Sequence, residues 1–138
     1  MSEAPGAGEI VIDASVVVDI LAGTPNGDAA RDRIRHAILH APAHIDAEVL
    51  SALSRLQRAG VLDTSAVSHA LTSLVHLPVR RHELPKLAPG AWSRRENVRV
   101  ADALYVELAS QLGVTLVTTD QRLARACHLA ESVTEPPA

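Results

Sequence analysis

The sequence predicts an α/β domain built on a mostly parallel sheet. Short, strongly apolar runs such as Ile10-Val-Ile12 and Val114–Val117 have the length of buried strands. Between them lie longer stretches with apolar residues at helical spacing, so strands and helices alternate along the chain. A hydrophobic content of 47% against 21% charged residues, over 138 residues, suits one chain folding around one sizeable core.

Residues 1–8 read as a tail. Glu9-Ile-Val-Ile-Asp13 follows as a strand that ends abruptly in a carboxylate. Ala14–Ala22 has helical spacing, with Ser15 suited to capping it, and Gly23-Thr-Pro-Asn-Gly27 is a loop by its turn residues. Asp28–His40 is expected as a helix, with Ile34, Ala37 and Ile38 on one face. A short strand is expected near Ala43–Ile45. Asp46 would then cap a helix over Ala47–Ala59, stopped by Gly60, with Val49, Leu50, Leu53 and Leu56 at core spacing. A helix over Ser65–Val75 carries Val67, Leu71, Leu74 and Val75. Val79–Leu84, confined by Pro78 and Pro85, reads as a strand. Pro89 and Gly90 interrupt Leu87–Asn97, leaving a short helix around Trp92. Val100–Leu112 is a helix ending at Gly113, Val114–Val117 a strand, Gln121–Leu129 a last helix and 135–138 a tail, so that one domain spans 9–134.

Several function classes drop out. No apolar run approaches the roughly 20 residues of a membrane span. Met1–Gly8 lacks the basic and apolar regions of a secretory signal, and the lone Cys127 allows no internal disulfide, which fits a cytoplasmic protein. No glycine-rich dinucleotide or phosphate loop is present. With only Trp92 and Tyr105 as Trp, Tyr or Phe, stacking cannot be the main device for holding bases. A net charge of −3 lacks a nucleic-acid binder's basic surplus, yet is compatible with an enzyme that meets phosphates through metal ions.

Four acids draw the argument together. Asp13 and Asp120 follow two apolar strands, and parallel strands would bring both to the edge where α/β sheets bind ligands. Glu48 and Asp102 sit in first helical turns among apolar neighbours. A buried carboxylate is costly unless its charge is compensated, and a hard divalent cation taking oxygen ligands compensates it. Each acid also has a plainer reading: Asp13 and Asp120 as helix caps, Glu48 and Asp102 as partners of a helix dipole. Periodicity and charge leave both readings open.

Four segments resemble the successive motifs of the PIN-domain ribonucleases, and in particular the VapC-like toxins of bacterial toxin–antitoxin operons. They are Ile10-Val-Ile-Asp-Ala-Ser15, His44-Ile-Asp-Ala-Glu-Val-Leu-Ser-Ala-Leu53, Ala101-Asp-Ala-Leu-Tyr-Val-Glu-Leu-Ala109 and Leu116-Val-Thr-Thr-Asp-Gln-Arg-Leu-Ala124. The resemblance covers roughly Ile10 to Ala130 with the motifs in order, and none of the four acids is missing. It implies a three-layer α/β/α PIN-like domain in which Asp13, Glu48, Asp102 and Asp120 hold Mg²⁺ or Mn²⁺ for endonucleolytic cleavage of RNA. Asp13, Asp102 and Asp120 are then the direct ligands, while Glu48 binds through water or acts as a base. It further implies a homodimer and a cognate VapB-like antitoxin.

Ser15 and Thr118 lie two residues from Asp13 and Asp120, where hydroxyls can orient carboxylates or water; their plainer readings are helix cap for Ser15 and ordinary strand residue for Thr118. Arg99 and Arg122 are candidate RNA contacts, Arg being suited to bidentate phosphate binding. Asp19, Asp28, Asp32 and Asp63 are read as solvated or capping acids, Glu107 as pointing away from Asp102, and His36/His40 as a surface pair. Two rivals stand beside the nuclease. One is a PIN-fold module binding RNA or antitoxin with negligible catalysis. The other, a phosphoacceptor receiver domain, wants adjacent acids after the first strand and a Lys at a late strand end. Here Ala14 follows Asp13, and the only Lys is Lys86 in a Pro-flanked loop.

Overall fold

A computed structural model describes residues 8–134; the expected tails lie outside it, apart from Gly8. β1 (Glu9–Ile12) runs into Asp13, which caps α1 (Ala14–Ala22), and α2 (Pro25–Ile34) follows. β2 (Ile38–Pro42) leads to α3 (Ile45–Arg58) and α4 (Thr64–Val75), then β3 (Val79–His82) to α5 (Ala88–Ser93) and α6 (Val100–Leu112). β4 (Thr115–Thr118), α7 (Gln121–Ala126) and β5 (Ala130–Ser132) complete the chain.

The strands form one sheet in the order β3-β2-β1-β4-β5, with every pairing parallel. Connections from β1 to β2 to β3 step one way across the sheet, and those through β4 to β5 step back the other way. Right-handed crossovers therefore put α1–α4 on one face and α5–α7 on the other. The packing agrees: α1 lies against α2 and α3, α3 against α4, and α5 against α6, which covers β1, β2 and β4. This is the expected α/β/α arrangement. Ile10, Val11, Ile12, Leu116 and Val117 are wholly buried in the two central strands, as a sheet covered on both faces requires.

The direction of progression reverses between β1 and β4. A crevice forms at such a switch point beyond the strands' carboxyl ends, and Asp13 and Asp120 stand there.

Several local expectations change. The helix expected over Asp28–His40 ends at Ile34, and its last three residues, after a turn, begin strand β2. Ile34, Ala37 and Ile38 satisfy a helical face equally well, and the pairing of Ile38–His40 with Glu9–Val11 decides for strand. His40 is accordingly buried, bonded to Glu9 and His82 at 2.9 Å each, and forms no surface pair with His36. Ala43 and His44 form a turn where a strand was expected, and α3 begins two residues early. Asp46 thus lies in its first turn and takes an ion pair from Arg81 instead of capping. The cap of α1 is Asp13, not Ser15. Leu50 and Val75, given core positions by spacing, are exposed. Beyond Ala126 the last helix gives way to β5, three residues with no strong apolar pattern that only their partner β4 makes a strand.

Candidate functional site

Asp13 is set by the end of β1 and the start of α1. Its Oδ1 accepts from the Ser15 hydroxyl at 2.6 Å and the Val16 amide at 3.3 Å, and its Oδ2 from the Thr118 hydroxyl at 2.6 Å. The residue is only 5% exposed. Burial pushes its carboxyl up to about 6, against the pull of those hydrogen bonds, and the charge of Asp102 adds to the rise. Thr118 and Ser15 also fix the other strand end. The Thr118 hydroxyl accepts from the Asp120 amide at 2.9 Å and the Ser15 hydroxyl from the Thr119 amide at 3.1 Å. Both hydroxyls therefore join β1 to β4, beyond any role as cap or ordinary strand residue.

Asp120 caps α7, its Oδ1 accepting from the amides of Arg122 and Leu123 at 2.9 and 3.3 Å. The Arg122 guanidinium stands 3.8 Å from Oδ2. Asp102, in the first turn of α6, accepts from Arg99 Nε at 3.1 Å. Glu48, in the first turn of α3, accepts from the Tyr105 hydroxyl at 2.6 Å. Burial first, and then this bond to Glu48, hold the Tyr105 phenol far above its ordinary range, so it remains a donor.

All four acids line one cleft of about 290 Å³, together with Ser15, Asp19, Arg55, Arg99 and Tyr105. Capping and cleft lining coexist in Asp13 and Asp120. Arg122 lies in an adjoining hollow that Arg99, Asp102 and Asp120 share.

Sequence reasoning missed four neighbours. Tyr105 follows Asp102 by three residues, a spacing that puts them on one side of a helix, and this signal was readable. His44 precedes Glu48 by four, with its Nε2 3.4 Å from Glu48 Oε1. Asp19, read as solvated or capping, borders the cleft and accepts from Thr24 and Thr119. Arg55 lines the cleft from α3 two turns after Glu48, on the same side of the helix, and this spacing was readable too. Glu107 instead pairs with Arg94 away from the cleft, as expected.

The donor set is carboxylate and hydroxyl oxygen, the chemistry of a hard divalent cation. Among the described residues no three His, Cys, Asp or Glu side chains close into a ready-made cage. An ion that binds through one or two carboxylates and keeps several waters needs no such cage. The desolvated Asp13 carboxyl, held by the Ser15, Val16 and Thr118 hydrogen bonds and by no basic side chain, is the group such an ion would stabilise. The residues fit.

Residues 10–129 match the PIN domain. The chain is 53% identical over 126 residues to Ribonuclease VapC3 of Mycobacterium tuberculosis, covering 91% of this chain and 92% of that protein. Among solved structures, a Pyrobaculum aerophilum protein superposes with a TM-score of 0.65 at 25% identity, covering 91% of this chain and 85% of that one. A toxin–antitoxin complex from Klebsiella pneumoniae gives 0.66 at 12% identity, with 89% and 96% covered, and so speaks to the fold alone. The chain belongs to the PIN-domain family, among the VapC ribonucleases.

Proposed function

We propose that this chain is the ribonuclease toxin of a VapBC-type toxin–antitoxin pair, cleaving RNA with Mg²⁺ or Mn²⁺ held by Asp13, Asp102, Asp120 and Glu48. One observation carries the reading: four carboxylates from four separate motifs border a single cleft at the switch point of the sheet. Four acids gathered at one crevice are costly for a structural purpose and natural for a cation-dependent hydrolase.

When bound, the cation neutralises charge developing on the phosphodiester and activates water. The chain's own groups do the rest. Asp13, Asp102 and Asp120 are the direct ligands in this reading. Ser15 and Thr118 orient Asp13 through its two oxygens. Glu48 carries the Tyr105 hydrogen bond on Oε1, which leaves Oε2 to hold a water or accept its proton. Arg99 and Arg122, both mostly exposed beside site acids, are positioned to meet the phosphates that flank the scissile bond. The domain is read as residues 9–134, working in the cytoplasm as a homodimer restrained by a VapB-like antitoxin.

The test is cleavage of structured RNA by the purified protein in Mg²⁺ or Mn²⁺, against EDTA and against Asp102→Asn. Metal-dependent cleavage should vanish in the variant, by more than the roughly 100-fold that losing an outer partner of a metal site costs. No cleavage across a broad RNA panel, with no ion bound by the native protein, would overturn the reading in favour of a PIN-fold binding module.

A further inference from the structure

We propose that His44 and Tyr105 are a positioning pair that clamps Glu48 and fixes its place relative to Asp102. What Glu48 does once placed rests on the ribonuclease reading above. Tyr105 lies one turn beyond Asp102 on α6, is 1% exposed, and donates its hydroxyl to Glu48 Oε1 at 2.6 Å. His44 lies one turn before Glu48 and sends Nε2 to the Ala101 carbonyl at 3.0 Å. A carbonyl only accepts, so Nε2 carries the proton. That same N–H stands 3.4 Å from Glu48 Oε1. The two rings pack with centroids 4.8 Å apart.

One further detail shows which nitrogen matters. His44 Nδ1 is buried with no hydrogen-bond partner, alone in this among buried side-chain polar atoms of the described residues. An unpaired buried polar atom is destabilising, and an apolar ring would fill the space without that cost. The useful atom is therefore Nε2, which faces both Ala101 and Glu48.

The clamp also joins layers. α3 and α6 lie on opposite faces of the sheet, and the bonds from Tyr105 to Glu48 and from His44 to Ala101 connect the start of α3 to the first two turns of α6 above the strand ends. With Oε1 committed, a long side chain that would otherwise sample several rotamers is restricted to presenting Oε2. Outer partners of this kind are worth about 10–100-fold in metal affinity.

The experiment is Mn²⁺ binding without RNA, by calorimetry or electron paramagnetic resonance, with a thermal melt of each sample. Tyr105→Phe and His44→Ala should each weaken Mn²⁺ binding about 10–100-fold in folded protein. His44→Gln, whose side-chain amide N–H can stand where Nε2–H stands, should restore most of it. Should Tyr105→Phe fail to fold, the His44→Ala and His44→Gln pair decides alone. Wild-type affinity in the folded variants, or lowered melting with unchanged affinity, would overturn the clamp and leave the ribonuclease reading standing. A wild-type protein that binds no Mn²⁺ would overturn both.

Discussion

At the scale of single residues, Asp13 carries a burial cost that its hydrogen bonds do not offset. Burial raises its carboxyl from 3.8 to about 6, so the folded protein holds that proton more tightly than the unfolded chain does. Its contribution to stability is complete below about pH 3.8 and is lost as pH rises through about 6. At 1.36 kcal/mol per unit, the ceiling on this loss is roughly 3 kcal/mol. Asp13→Asn removes the titration, though it also replaces one of the two oxygens that accept from Ser15, Val16 and Thr118. In EDTA, the stability of Asp13→Asn relative to wild type should therefore rise steadily between pH 4 and 7, as urea unfolding would measure. A flat difference across that range would contradict the buried-carboxylate account. Saturating Mg²⁺ at pH 7 should lower the stability of the variant relative to wild type, by stabilising the wild type more.

Among the secondary-structure elements, the contact of α1 with α2 depends on a missing side chain. A Cβ on Gly27 would run into the backbone carbonyl of Asp19, so the first turn of α2 can approach α1 only as glycine. The Thr24 side chain caps α2 by accepting from the Gly27 amide at 3.0 Å, while its hydroxyl donates to Asp19 Oδ1 at 2.9 Å. Asp19 borders the cleft and also accepts from Thr119 beyond β4. Gly27→Ala should therefore cost about 1–3 kcal/mol, the range for overpacking a close contact. It should also lower RNA cleavage by shifting Asp19. Chemical denaturation and initial rates on the same preparation check both effects, and unchanged stability would refute the close approach.

Over the whole molecule, the difficulty is an acidic protein, net charge −3, acting on a polyanion. Four carboxylates at the switch point sharpen the repulsion until a cation is bound there. Around that centre the exposed basic groups are few, Arg99 and Arg122 being 67% and 71% exposed beside their acids. Binding of RNA should accordingly show a shallow salt dependence. Arg99→Ala and Arg122→Ala should each reduce the slope of log affinity against log salt by roughly one if each neutralises one phosphate. Filter binding in Ca²⁺, a divalent ion chosen to slow cleavage, measures this. An unchanged slope in both variants would remove these arginines from the RNA path.

Sequence alone determined the α/β class, the two central strands and the long helix after Arg99, because each is a local signal, whereas the four acids stood out as candidates only through the order of their motifs. Short strong apolar runs and long uninterrupted helical periodicity hold whatever packs beside them. Tertiary structure decided the rest. Whether Ile38–Pro42 continued a helix or became a strand depended on β1 lying beside it, since its spacing satisfies both patterns. β5 exists only because β4 offers an edge to pair with. Asp19 joined the site, and Tyr105 and His44 met across it, because residues far apart in the chain come together at one sheet edge. Whether an acid serves as a cap or as a cleft wall was undecidable locally. In the fold Asp13 and Asp120 do both, since a carboxylate has two oxygens and a strand end beside a helix start exposes it to both neighbours.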